Sequence, residues 1–111
     1  MEKYNKNMQL EVLLLRNNNC HVWRNVLHDL QEEMEKFDLE PTVKILQIDT
    51  GEQAKQYKFF GSPQVLVNGA DIDPMAKGMK NFHVTGCRVY FWKGKGYDFP
   101  PQEMIRAALR H

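Results

Sequence analysis

The hydrophobic pattern changes period between residues 16 and 20, and that change constrains the fold more than any other feature of the chain. Before it, Leu10-Glu11-Val12-Leu13-Leu14-Leu15 is a nearly continuous apolar run, closed by Arg16 and the turn-forming Asn17, Asn18 and Asn19. A short run of this kind fits a central strand buried on both faces. After it, Val22, Trp23, Val26, Leu27, Leu30, Met34 and Phe37 recur at intervals of three and four, with Arg24, Asp29, Gln31, Glu32, Glu35 and Lys36 on the other side. The spacing predicts an amphipathic helix of about five turns, beginning at Cys20 with Asn19 as its N-cap.

The rest of the chain continues this strand-helix grammar. After Pro41, residues 43–48 (VKILQI) read as a second strand. Thr50 and Gln53 have the spacing of a capping box, predicting a short helix from Glu52 to about Phe59 that Gly61 stops. Ser62-Pro63 then opens a third strand, Gln64 to Val67, which Asn68-Gly69 closes as a turn. Residues 70–86 read as a loop or a short helical excursion. In residues 87–92 (CRVYFW), Val89 and Phe91 alternate against Arg88, Tyr90 and Trp92, a fourth strand, and residues 94–100 read as a turn. A final helix starts near Pro101 and buries Met104, Ile105, Ala108 and Leu109. The order β-α-β-α-β-β-α implies an α/β fold: a mixed four-stranded sheet flanked by helices, with the first two strands parallel and the last two antiparallel.

Composition narrows the function classes. At 111 residues the chain has room for one core; residues 1–8 read as a polar lead-in and 9–111 as a single domain. Two cysteines exclude a disulfide-rich scaffold, and fifteen basic against fourteen acidic side chains argue against binding nucleic acid or an anionic membrane through bulk charge. No stretch is long and apolar enough to span a membrane, and the opening residues lack the apolar core of a signal peptide. The expected compartment is the cytoplasm, where two thiols are normally reduced.

Cys20 at a strand-to-helix junction, Ser62-Pro63 before the third strand and the closing amphipathic helix together resemble the thioredoxin-like superfamily, over residues 9–110. More narrowly, N-C-H-V-W, G-S-P-Q-V-L-V-N-G, G-C-R-V-Y and P-P-Q-E-M-I-R-A-A-L resemble small bacterial and archaeal thioredoxin-like proteins, some of whose relatives occur alongside mercury-resistance functions. The resemblance implies a thioredoxin-like fold, an attacking thiol at Cys20 and a cis-proline at Pro63. It also implies that an extended substrate docks at Ser62 and Pro63, with His21 and Trp23 lining the site. In that family a second cysteine three residues on resolves the mixed disulfide; here that position is Trp23, a member of the apolar stripe, so the motif is a degenerate C-x-x-W.

Several functional readings follow. A thiolate at a helix N-terminus is stabilised by free amides and the helix dipole, which makes Cys20 a candidate single-thiol redox group without ordinary dithiol turnover. Its partner would be a protein thiol or glutathione. Cys87 begins a strand whose far end, in the family topology, is the one near the active site. Six extended residues span about 20 Å, so the expectation is two free thiols unless residues 70–86 fold back over Cys20. The rival is a noncatalytic interaction module, in one form a homodimer, using the sheet edge or the aromatics Tyr90, Trp92 and Tyr97. A weaker alternative is thiol-dependent soft-metal binding. Met75, Met79, His83 and Cys87 recur at intervals of four, but Gly78, Val84, Thr85 and Gly86 break the helix such a site would need, and no metal centre or cofactor is expected. Asp71 and Asp73 read as turn chemistry, and His28 and His111 as surface residues.

Overall fold

The computed structural model describes residues 10–110; the lead-in and His111 lie outside the described residues. Strand β1 (Val12–Arg16) is central, as its apolar run requires. It pairs in parallel with β2 (Lys44–Gln47) and antiparallel with β3 (Gln64–Val67), and β3 pairs antiparallel with β4 (Ala70–Asp71), giving the order β2-β1-β3-β4. Helices α1 (Trp23–Lys36) and α3 (Gln102–Leu109) cover one face, and α2 (Gly51–Tyr57) lies on the other. The α/β class and the mixed four-stranded sheet with three helices therefore stand. No helix among the described residues is long and apolar enough to cross a membrane.

Strand alternation divides the core. Val12, Leu14, Val65 and Val67 face Val26, Leu30 and Met34 of α1 and Met104, Ile105 and Leu109 of α3. Leu15 and Leu66 face Ala54 and Phe59 on the α2 side. Glu33, fully buried on α1, receives two hydrogen bonds from the Arg106 guanidinium at 3.0 and 3.1 Å and so ties α1 to α3. The Arg106 bonds hold the Glu33 carboxyl below its ordinary range, against the opposing effect of burial, with Lys36 assisting.

The fourth strand of the sheet is not the one expected. Asn68 and Gly69, with φ of 52° and 84°, make a tight hairpin turn that folds Ala70–Asp71 onto the outer edge of β3. That edge is then taken, and Tyr90–Trp92 (β5) pairs instead with Lys95–Tyr97 (β6) in a separate hairpin, through a second positive-φ turn at Lys93-Gly94. The alternation over residues 87–92 does hold: Arg88 and Tyr90 are buried, while Val89 and Phe91 are exposed. Residues 74–78 form a single 3-10 turn, capped by Asp73, whose carboxylate accepts from the Met75 amide at 3.0 Å.

Two helix limits also move. The Thr50–Gln53 capping box is present, but α2 ends on Lys58, which takes the left-handed conformation, and not on Gly61. Helix α1 starts at Trp23, with Val22 as N-cap and no side-chain cap. Asn19 does not cap it: its Oδ1 accepts from the Gly86 amide instead, and the amides of Asn19 and Cys20 are turned onto the side chain of Asn17.

Candidate functional site

Residues 79–86 fold back across the C-terminal end of β1 and carry Cys87 to Cys20. The two are joined as a disulfide, with Cα atoms 5.8 Å apart, inside the usual range for such a bridge. The expectation of two free thiols is thus overturned. Cys87 does not lie at the remote end of a sheet strand; the segment after β4 leaves the sheet and crosses over the site.

This strap is held by backbone as well as sulfur. The Ser62 amide donates to the Gly86 carbonyl at 3.0 Å and the Ser62 carbonyl accepts from the Arg88 amide at 2.9 Å, making a parallel bridge between Ser62 and Cys87. The His83 amide donates to Phe59 O at 2.9 Å, and the Gly86 amide to Asn19 Oδ1 at 3.3 Å. Gly61 permits this approach: with φ at 141°, a Cβ there would lie 3.0 Å from Arg88 N and 3.1 Å from the Cys87 carbonyl carbon.

The Ser62-Pro63 peptide is cis. Ser62 is fully buried, however, and both its backbone hydrogen-bonding groups are used by the chain's own residues 86 and 88. An exposed Ser62 edge for an extended peptide, as the resemblance implied, does not exist in this state. The Pro63 carbonyl accepts from the Tyr90 hydroxyl at 2.5 Å, and burial pushes that phenol's pKa up.

Of the other expected site residues, His21 is exposed and Trp23 is half-buried. Trp23 packs on the α1–α3 core as its place in the stripe requires, and the guanidiniums of Arg16 and Arg24 lie 4.7 and 5.1 Å from its ring centre. Cys20 is buried at 6% exposure and precedes the N-cap by two positions, so the helix start expected at the cysteine is displaced from it. Cys87 is exposed, so it is the solvent-facing half of the bridge.

The metal spacing fares poorly. Met75 and Met79 are exposed, the 3-10 turn ends at Gly78, and the Cys87 sulfur is bonded to Cys20. Of the aromatics offered for an interaction module, Tyr90 is fully buried, and Trp92 and Tyr97 are half-buried against the core. Phe91 is the exposed aromatic of that hairpin.

Two groups near the bridge escaped the sequence reading. Arg88 is 2% exposed, forms a two-pronged ion pair with Asp71 at 3.0 Å on each arm, and lies 4.1 and 4.5 Å from the Phe60 and Tyr90 ring centres. Its phase with Tyr90 and Trp92 was the available signal. The second is Asn17, 1% exposed, for which nothing in a run of three asparagines marks the buried one.

Residues 18–109 match the family described as a domain of unknown function, DUF2703. The chain belongs to that family. The match takes in both cysteines, Ser62-Pro63 and the Asp71–Arg88 pair. No curated protein and no solved structure matches the chain.

Proposed function

We propose that this DUF2703 chain is a thioredoxin-like thiol–disulfide exchange protein whose redox couple is Cys20 and Cys87. The observation that carries the reading is the pairing of these cysteines beyond the end of the central strand, where Ser62 and Cys87 form a backbone bridge. The resolving thiol absent at position 23 is thereby supplied by residue 87, and the single-thiol scheme gives way to a two-electron couple. The mixed sheet with helices on both faces supports the thioredoxin-like assignment.

The exchange balances as follows. A partner thiolate attacks Cys87 Sγ, the exposed side of the bridge, forming a mixed disulfide as the Cys20–Cys87 bond breaks and its electron pair leaves on Cys20. A second thiol, from a protein dithiol or another glutathione, attacks the partner sulfur of that mixed disulfide and releases Cys87. Two electrons and two protons end on the cysteines, and the partner leaves as its disulfide.

Equilibration of the intact protein with glutathione redox buffers, read by thiol alkylation and mass, tests the reading. Reversible conversion between a bridged form and a two-thiol form at cytosolic or more oxidising poise is expected. A bridge that stays fully oxidised at a poise below about −300 mV would class it as structural and overturn the redox assignment.

A further inference from the structure

The side chain of Asn17 connects both halves of the bridge. Its two amide hydrogens go to the strap, to Val84 O at 2.7 Å and Gly86 O at 2.9 Å, and its Oδ1 accepts from the backbone of Asn19 at 3.0 Å and of Cys20 at 3.3 Å. Two carbonyls on one side and two N–H groups on the other fix the amide's orientation, and they use its donors fully. The backbone N–H of Asn17 also donates to Ser62 Oγ at 3.3 Å. A buried carboxamide so placed holds the Cys20 turn and the Cys87 strap in one arrangement through contacts that do not involve sulfur.

We propose that Asn17 is the positioning residue of the Cys20–Cys87 couple: it keeps the two thiols adjacent when the bridge opens, and so raises the effective concentration at which they close again. The inference rests on the redox reading for its purpose, but its physical content is separable. Tethers and disulfide restrict the same loop, so each lowers the entropy the other must remove. Loss of the tether therefore shifts the thiol–disulfide equilibrium toward the dithiol, whereas a residue that merely stabilises the fold shifts both redox forms equally and leaves that equilibrium alone.

The test is the equilibrium constant of the folded protein against dithiothreitol, for wild type, Asn17→Ala and Asn17→Ser, with circular dichroism and urea unfolding recorded on both redox forms. Asn17→Ser keeps a small polar group that cannot reach both strap carbonyls, and provides the measurement if reduced Asn17→Ala does not fold. The expected result is a fall of about tenfold in the constant for closing the bridge, the scale of one to two net hydrogen bonds. Asn19→Ala, which removes only the Gly86 contact, should fall by less. A folded variant whose constant stays within about twofold of wild type overturns the proposal, whatever its loss of stability. Failure of the redox reading shows differently, as a wild-type bridge inert to glutathione, while the variant-to-wild-type ratio in dithiothreitol is still measured.

Discussion

Removing the bridge should lower stability by an amount that follows from where it lies in the chain. The cysteines are 67 positions apart. For a loop of that size the chain-entropy relation gives about 15 cal/mol/K, or ~4.4 kcal/mol at 25 °C. Residual compactness of the denatured chain reduces this, so a loss of about 3–4 kcal/mol is expected for Cys20→Ala/Cys87→Ser relative to the oxidised protein. Cys20→Ala avoids placing a hydroxyl at a buried position. In urea, with a slope of about 1–2 kcal/mol/M, the midpoint should fall by roughly 1.5–4 M, followed by the fluorescence of Trp23 and Trp92. By linkage the same quantity makes the pair roughly a hundredfold to a thousandfold harder to reduce in the folded protein than in the unfolded chain, at ~1.4 kcal/mol per tenfold. A variant whose midpoint stays within about 0.5 M of the oxidised protein would refute the reasoning, because the bridge would then not be closing that loop in the native fold.

Three further outcomes are expected. Asp71→Ala leaves the buried Arg88 guanidinium without its carboxylate and should destabilise by about 3–5 kcal/mol, while Asp71→Leu combined with Arg88→Met should recover much of that loss in chemical denaturation; equal losses in the single and double variants would contradict it. Gly61→Ala should lower the melting temperature through about 1–3 kcal/mol of backbone strain alone, and should also increase bridge accessibility to alkylation under reductant, since its Cβ meets the Arg88 and Cys87 backbone. The Glu33 carboxylate, held low by Arg106, contributes stability that is complete above its ordinary value of 4.5 and is lost as pH falls through its lower folded value. Glu33→Gln should therefore be less stable than wild type at pH 7, with the gap narrowing in acid, and a gap independent of pH in urea titrations would exclude that origin.

Local chemistry was legible where a few neighbouring residues decide it. The period change placed β1 and α1, the Thr50–Gln53 box placed the start of α2, and Asn68-Gly69 placed a turn. The errors share one cause, the trace of residues 70–86. Asn68-Gly69 marks the end of β3 but not the two-residue strand it creates, so by pattern alone Cys87–Trp92 fills the sheet. With the strap's path unknown, Cys20 and Cys87 were kept apart. The helix start at Cys20 fails for a related reason: Asn19 is a good cap in isolation, but its Oδ1 is taken by the Gly86 amide of the strap and Asn17 holds the Asn19 and Cys20 amides, and no local pattern says which asparagine faces inward. Asp71 and Arg88 were each placed by phase or turn chemistry, and their pairing depends on a contact spanning 17 residues.

The bridge from Cys20 to Cys87 also gives the molecule a covalent shape that the linear sequence hides. It makes a closed ring containing α1, β2, α2, β3 and β4, from which two tails emerge: one bears β1, and the other bears the β5–β6 hairpin and α3. Both tails are packed onto ring elements, β1 between β2 and β3 and α3 against α1. A single backbone cut anywhere in the ring, including the strap, would leave one covalent molecule when oxidised and two separable pieces when reduced. The strap can thus be severed without loss of material, and its persistence after nicking becomes a record of the sulfur oxidation state.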